Sequence, residues 1–195
     1  PLRVVAAALD GGAGIAPRAP LADSVDALGP AERLALRRAG VTIGALDLFV
    51  PALMKPAAAR WRAALIAAAR DAPIAPAPPV SAGIAPRGQP VGSPWRDIGR
   101  QSVRVDLVEK VARAAHDARR GAAPCAPDPA LAISIGMTPA TLARLMAQLS
   151  FVPVKGEGAP RWRWRGRPAR VKPAAAPAPR GALAMGLAEL VTRRG

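Results

Sequence analysis

Apolar positions recur along the chain at two spacings, and each spacing predicts a kind of element. Leu142, Leu145, Met146 and Leu149 stand at i, i+3, i+4 and i+7, the stripe of an amphipathic helix. Thr138-Pro139 ahead of them supplies a capping hydroxyl and a proline at the first helical position. Thr141, Arg144 and Gln148 fall on the other side of that helix. Further on, Arg161-Trp162-Arg163-Trp164-Arg165-Gly166-Arg167 alternates with the period of a strand. Both indoles then point one way, and Arg161, Arg163 and Arg165 point the other. Phe151–Val154 predicts the strand that pairs with it, with a turn over 155–160 between them.

The same reading extends toward the N-terminus. A short helix is predicted over Leu2–Leu9, stopped at Gly11-Gly12, and low-complexity sequence follows to residue 27. Gly29-Pro30 opens a helix that carries Leu34 and Leu36 and ends after Arg37-Arg38 at Gly40. Residues 41–50 read as extended chain broken by Gly44, and Pro51 and Pro56 bracket a short turn. A helix over Ala57–Arg70 places Trp61, Leu65 and Ala68 or Ala69 on one face, which predicts that Trp61 anchors a core. Seven prolines between Ala72 and Pro94 predict a linker. Val103–Val105 is a strand candidate, and Asp106 with Glu109 has the spacing of a capping box for the helix that runs to Arg119-Arg120. A second proline-rich stretch carries Cys125, and Leu131–Ile135 reads as extended.

These elements predict a mainly α fold with small β-hairpins, an α+β class, in which small helical units are joined by Pro/Ala-rich linkers. The expected segments are a lead-in over 1–27, a helix-strand-helix unit over 28–71, a linker over 72–94, a helical unit over 95–167 and a basic tail over 168–195. Helix, strand, glycine-containing turn and basic strand is also the order of the second half of a winged helix. The tail is mostly Ala, Pro and Arg, with room for a short helix at Ala182–Val191.

Composition changes this picture in one respect. The hydrophobic share is 51%, but much of it is alanine, aromatics are 3% and tyrosine is absent. The net charge is +15, and ten basic against two acidic residues follow from Lys155 onward. A basic strand and tail of this kind release counterions from a phosphate backbone without reading sequence. The expected nucleic-acid contacts are Arg144 and Gln148 on the helix and Arg161, Arg163, Arg165 and Arg167 on the strand and its end. An arginine-rich solubilising tail is the alternative that charge alone leaves open.

Candidate catalytic chemistry is sparse. His116 is the sole histidine and Cys125 the sole cysteine, which excludes a histidine-based metal site and an internal disulfide. There is no Gly-x-x-x-x-Gly-Lys-Ser/Thr loop, and Gly11-Gly12-Ala13-Gly14 lacks its lysine. No catalytic residue is assigned, and no cofactor is expected in this segment. No apolar run is long enough to cross a bilayer, so the expected location is cytoplasmic and no membrane partner is expected. Pro1 in place of methionine points to a piece of something longer.

Several stretches resemble one family in order. Leu28–Gly44 ends a helix in Arg37, Gly40, Val41 and Gly44, and Leu48–Pro56 presents Pro51, Leu53, Lys55 and Pro56. Together they resemble the C-terminal region of alphaproteobacterial superfamily-two DExH-type helicases related to the mitochondrial degradosome RNA helicase. Ser102–Val111 and Ile135–Val154 are similar to later segments of that region, although Leu149-Ser150-Phe151 replaces a Leu-Gly-Tyr-like run. The resemblance implies an accessory region that guides RNA or DNA for an upstream helicase core of the same polypeptide, where ATP and Mg would be bound. Two other readings stand beside it: a freestanding winged-helix-like DNA-binding module and a non-catalytic interaction scaffold.

Overall fold

A pentapeptide sets the architecture. Gly14-Ile15-Ala16-Pro17-Arg18 is repeated as Gly83-Ile84-Ala85-Pro86-Arg87, and each copy begins a three-stranded antiparallel sheet. The structure, a computed structural model, describes residues 1–74, 83–89, 93–119, 121, 123–156 and 160–166. In the first copy β1 (Ile15–Pro17) and β2 (Thr42–Ile43) flank β3 (Asp47–Phe49), in the order β1-β3-β2. In the second, β4 (Ile84–Pro86) and β5 (Trp95–Ile98) flank β6 (Gln101–Arg104), in the order β4-β6-β5.

Register and contacts repeat with the topology. Ile15 lies opposite Phe49 and Ile84 opposite Val103. Thr42 pairs with Phe49 and Arg96 with Val103, so the two hairpins have the same length. Val50 N donates to Gly14 O at 3.1 Å, and Arg104 N donates to Gly83 O at 3.0 Å. Gly14 lies against the Leu53 side chain and Gly83 against that of Leu107, where in each case a Cβ would collide with the leucine Cδ1.

The copies part company after the third strand for a reason visible in sequence. In the first, Pro51–Met54 forms a 3-10 turn, and Lys55 adopts an extended conformation (ψ 140°) before α4 (Pro56–Ala69) starts. Pro56 disfavours a helical Lys55, so the helix must begin afresh. In the second copy no proline intervenes, and β6 runs directly into α5 (Val105–Asp117).

The first copy builds its core from α1 (Leu2–Gly11), α2 (Ala22–Asp26) and α3 (Pro30–Arg38) around Leu48, with Val5, Leu9, Leu21, Val25, Leu28 and Leu36 buried. Glu32 caps α3 by accepting from Gly29 N at 2.9 Å. Residues 13–27, expected as low-complexity sequence, hold β1, a 3-10 turn and α2. Likewise β4 lies inside the stretch expected as a linker. It is an edge strand, and its proline closes the pairing opposite Gln101, a position that tolerates the missing N–H.

The second copy is extended by α6 (Pro129–Ile135), α7 (Pro139–Gln148) and a hairpin of β7 (Phe151–Val154) and β8 (Arg161–Trp164). Leu131–Ile135, expected as extended, is helical: Asp128 accepts from Ala130 N at 2.9 Å, and Gly136 closes the helix in the left-handed region at φ 88°. A break then bends α6 against α7 by 114°. Cys125, expected in a linker, is buried and exchanges both backbone hydrogen bonds with Trp162, on the edge of β8 away from β7. Val108, Val111, Ala112, Ala115, Leu145, Met146, Phe151 and Trp162 fill the core between these elements.

The copies are joined through polar and apolar contacts. Glu109, expected to close a capping box, reaches instead to Ala45, accepting from its N–H at 2.6 Å. Asp106 pairs with Arg104 at 2.7 Å. Arg96 pairs with Asp47 at 2.7 Å, and Phe49, Met54 and Val105 form a small apolar cluster at the junction. Among the described residues, no single helix is long and apolar enough to cross a membrane.

Candidate nucleic-acid interface

The β7–β8 hairpin sorts its side chains as the alternation predicts. Directly paired residues share a face, so Trp162 sits with Pro153 and Trp164 with Phe151, while Arg161 and Arg163 share the other face with Val154 and Val152. Trp162 is buried against the core and Trp164 is half-buried beside it. The Trp164 ring meets His116 edge-on at 5.9 Å and carries the Arg119 guanidinium over its face at 3.9 Å. Both indoles are therefore committed to packing and to a cation–π contact.

Arg161, Arg163 and Arg165 are exposed. The Arg161 guanidinium donates to Pro124 O at 3.2 Å, which ties the end of the row to the segment preceding Cys125. Arg165 continues the row past β8, its N–H donating to Ser150 O at 2.9 Å. Three guanidiniums on successive outward positions give a linear positive edge, spaced by about 7 Å along the strand at two residues per outward position. Arg167 and the helix expected at Ala182–Val191 lie outside the described residues.

The helix contribution differs from expectation. Thr141 is buried, its N–H donating to the Thr138 hydroxyl at 3.2 Å, so it belongs to the cap and core. Arg144 and Gln148 are exposed, but they face the β5–β6 hairpin rather than the Arg161–Arg165 row. The Arg144 side chain lies across Gly99 at the hairpin tip, which has room for it because that residue lacks a Cβ. Gln148 Oε1 accepts from Arg96 Nε at 3.3 Å. Arg144 thus lies at the hairpin tip, where the exposed Arg100 follows Gly99 along the chain, a placement that sequence spacing did not bring out.

Trp61, expected to anchor a core, is 72% exposed, and Leu65 beside it on α4 is 65% exposed. The helix buries Arg62 and Ala67 instead, and Arg62 Nε donates to Ala13 O at 2.7 Å. Burial lowers the pKa of that guanidinium below the usual arginine value. Helical period alone located the apolar face of α4, but not whether anything covers it.

Among the described residues, no group of three or more His, Cys, Asp and Glu side chains could hold a metal ion. No protein-family model, curated protein or solved structure matches the chain.

Proposed function

We propose that this chain is a nucleic-acid-binding accessory region that serves an ATP-driven helicase motor carried elsewhere in the same polypeptide. The observation that carries the binding reading is the exposed row Arg161, Arg163 and Arg165 on a strand whose tryptophans are turned inward. Such a row contacts phosphates and is indifferent to base sequence. The order α5, the Cys125 bridge, α6, α7, β7 and β8 supports a winged-helix-like reading, with the hairpin as a wing that touches the backbone. Arg144 and Arg100 would add phosphate contacts from the β5–β6 side. The helicase attachment rests on the family resemblance of Leu28–Pro56 and Ser102–Val154, and would place RNA or DNA as the partner.

The test is the salt dependence of binding. Each phosphate contact contributes about 0.7–0.9 to the slope of log K against log salt, so replacing Arg161, Arg163 and Arg165 with glutamine lowers that slope by about 2–3. An unchanged affinity and slope would overturn the assignment of the hairpin. Reading the parent polypeptide for a phosphate-binding loop and a DExH box upstream tests the motor.

The exposed Trp61–Leu65 face favours a second reading, an interaction scaffold that docks through α4. It predicts that the glutamine variant behaves as the parent chain does and that neither is retained on nucleic acid at physiological salt.

A further inference from the structure

The internal repeat gives the bare face of α4 a counterpart that is covered. The equivalent glycines meet Leu53 and Leu107, and eight residues on from these leucines stand Trp61 and Ala115. Ala115 is fully buried, in a core that α7 completes with Leu145, Met146 and Leu149. Twelve residues on stand Leu65 and Arg119, and Arg119 lies over Trp164 of the β7–β8 hairpin. Trp61 and Leu65 are instead exposed. Pro56 restarts the helix in the first copy, and α4 then buries Arg62 and Ala67 rather than this stripe. Only residues 70–83 separate α4 from β4, too few to repeat the unit that occupies residues 129–164 in the second copy. A cover for α4 therefore has to come from another molecule or another part of the polypeptide.

The stripe and its rim select the chemistry of that cover. Ala57, Trp61, Leu65 and Ala68 follow one another at helical spacing over about 16 Å, and all four are exposed. An indole alone would also suit a nucleic-acid base, but the leucine one turn on and the flanking alanines offer a base nothing. A second helix laid along α4 covers all four. Charge decides which helix. Between residues 51 and 74 stand Lys55, Arg60, Arg62 and Arg70 against one carboxylate, Asp71. Lys55 and Arg70 are exposed at the two ends of α4, and Arg60 is exposed beside the indole. The helix also starts with neither a side-chain cap nor an acidic residue in its first turn, which leaves the positive end of its dipole uncompensated. A second copy of this chain is disfavoured by its net charge of +15. We propose that α4 docks an acidic amphipathic helix of a partner protein, with aliphatic side chains at i, i+3, i+4 and i+7 on Trp61 and Leu65 and carboxylates toward Lys55, Arg60 and Arg70. The proposal rests on the scaffold reading for docking through α4, and it holds whether or not the hairpin binds nucleic acid. One helix face is smaller than a standard interface, so the complex is weak and reversible.

The probe is a synthetic helical peptide of about 14 residues, long enough to span α4, with leucine at i, i+3, i+4 and i+7 and glutamate at the other positions. A second peptide of the same spacing carries glutamine in place of glutamate. Of the four tryptophans only Trp61 is exposed, so acrylamide quenching reports on it. The glutamate peptide is expected to move the emission to shorter wavelength and to remove most of the quenching, saturably. Trp61→Ala should weaken binding of the labelled peptide about tenfold or more, read by its anisotropy. The glutamine variant of Arg161, Arg163 and Arg165 should bind the peptide as the parent chain does. Circular dichroism shows that each variant is folded. If the glutamine peptide binds as tightly as the glutamate one, the acidic partner is overturned while docking through α4 stands. If neither peptide protects Trp61, both fall. An affinity that drops in the hairpin variant and not in Trp61→Ala places the peptide elsewhere and overturns the proposal. So does protection of Trp61 by raising the concentration of the chain alone, which assigns the face to a second copy, or by a short single-stranded oligonucleotide in preference to the peptide, which assigns it to nucleic acid.

Discussion

Trp162 and Trp61 are the same side chain in opposite circumstances, and replacing each with alanine isolates what the strand alternation means. Trp162 is 7% exposed, packed within the core of the second copy and bridged through its backbone to Cys125. A buried tryptophan removes about 150–250 Å² from water. Truncation to alanine costs about 3–5 kcal/mol once the cavity is included. At about 2–4 °C per kcal/mol for a chain of this size, Trp162→Ala should lower the melting temperature by about 6–20 °C. Trp61→Ala removes a ring that is already in water, so its cost should stay within about 0.5 kcal/mol. Thermal unfolding followed by circular dichroism, checked against urea midpoints, measures both. Equal costs for the two substitutions, or a Trp162→Ala protein that melts like the parent, would refute the assignment of the Trp-Arg strand's inner face to the core.

Two further outcomes follow from the junction and the repeat. Because the folded-state pKa of Asp47 is raised above its ordinary 3.8, the folded chain holds that proton more tightly than the unfolded chain. The associated stability is complete below about pH 3.8 and is lost as pH rises through the folded value. Asp47→Asn removes this loss, so the difference in urea midpoint between variant and parent should shift in favour of the variant as pH rises from about 3 to 7. A pH-independent difference would contradict it. At the equivalent glycines, Gly14→Ala adds a side chain at φ +87° against Leu53, whereas Gly83→Ala meets mainly the mobile end of Leu107 without a positive φ. Gly14→Ala should cost about 2–4 kcal/mol in urea unfolding and Gly83→Ala about 1 kcal/mol or less. Equal costs would mean that the positive φ at Gly14 adds no strain beyond the leucine contact that the two glycines share.

Much of the local structure was legible because local chemistry specifies it. Thr138-Pro139, Gly29-Pro30 and the Trp-Arg alternation each encode their own element, and each formed where the sequence placed it. What escaped was what depends on distant residues. Asp106 and Glu109 have capping-box spacing, yet Glu109 finds a better donor in Ala45, which no local rule anticipates. The apolar stripe of α4 had the right period, but a stripe does not reveal the absence of a cover. Arg144 and Gln148 were placed correctly on the outer side of α7, and only the β5–β6 hairpin diverts them from the Arg161–Arg165 row. The repeated Gly-Ile-Ala-Pro-Arg was the overlooked signal. Read as a repeat, it would have exposed β4 within the proline-rich stretch and paired the two sheets at once.

The repeat also changes what the net charge of +15 means. Many arginines before the hairpin already hold the fold. Arg18 bonds Gly44 O, Arg33 bonds Val25 O and Leu28 O, and Arg62 is buried against Ala13. Arg96 spans the copies to Asp47, Arg104 pairs with Asp106, Arg113 with Glu109, and Arg119 covers Trp164. Releasing any of these for a ligand forfeits an internal contact, so they are poor candidates for phosphate binding however basic the chain is. Arg163 and Arg165 differ, because they make no side-chain hydrogen bond or ion pair among the described residues. Charge that is already spent within the fold cannot also bind a polyanion at full strength. Within the row, Arg161 keeps a bond to Pro124 O, whereas Arg163 and Arg165 stand free on and just past a strand whose indoles are packed inward; removing the row, and not a general reduction of net charge, is therefore the perturbation that discriminates.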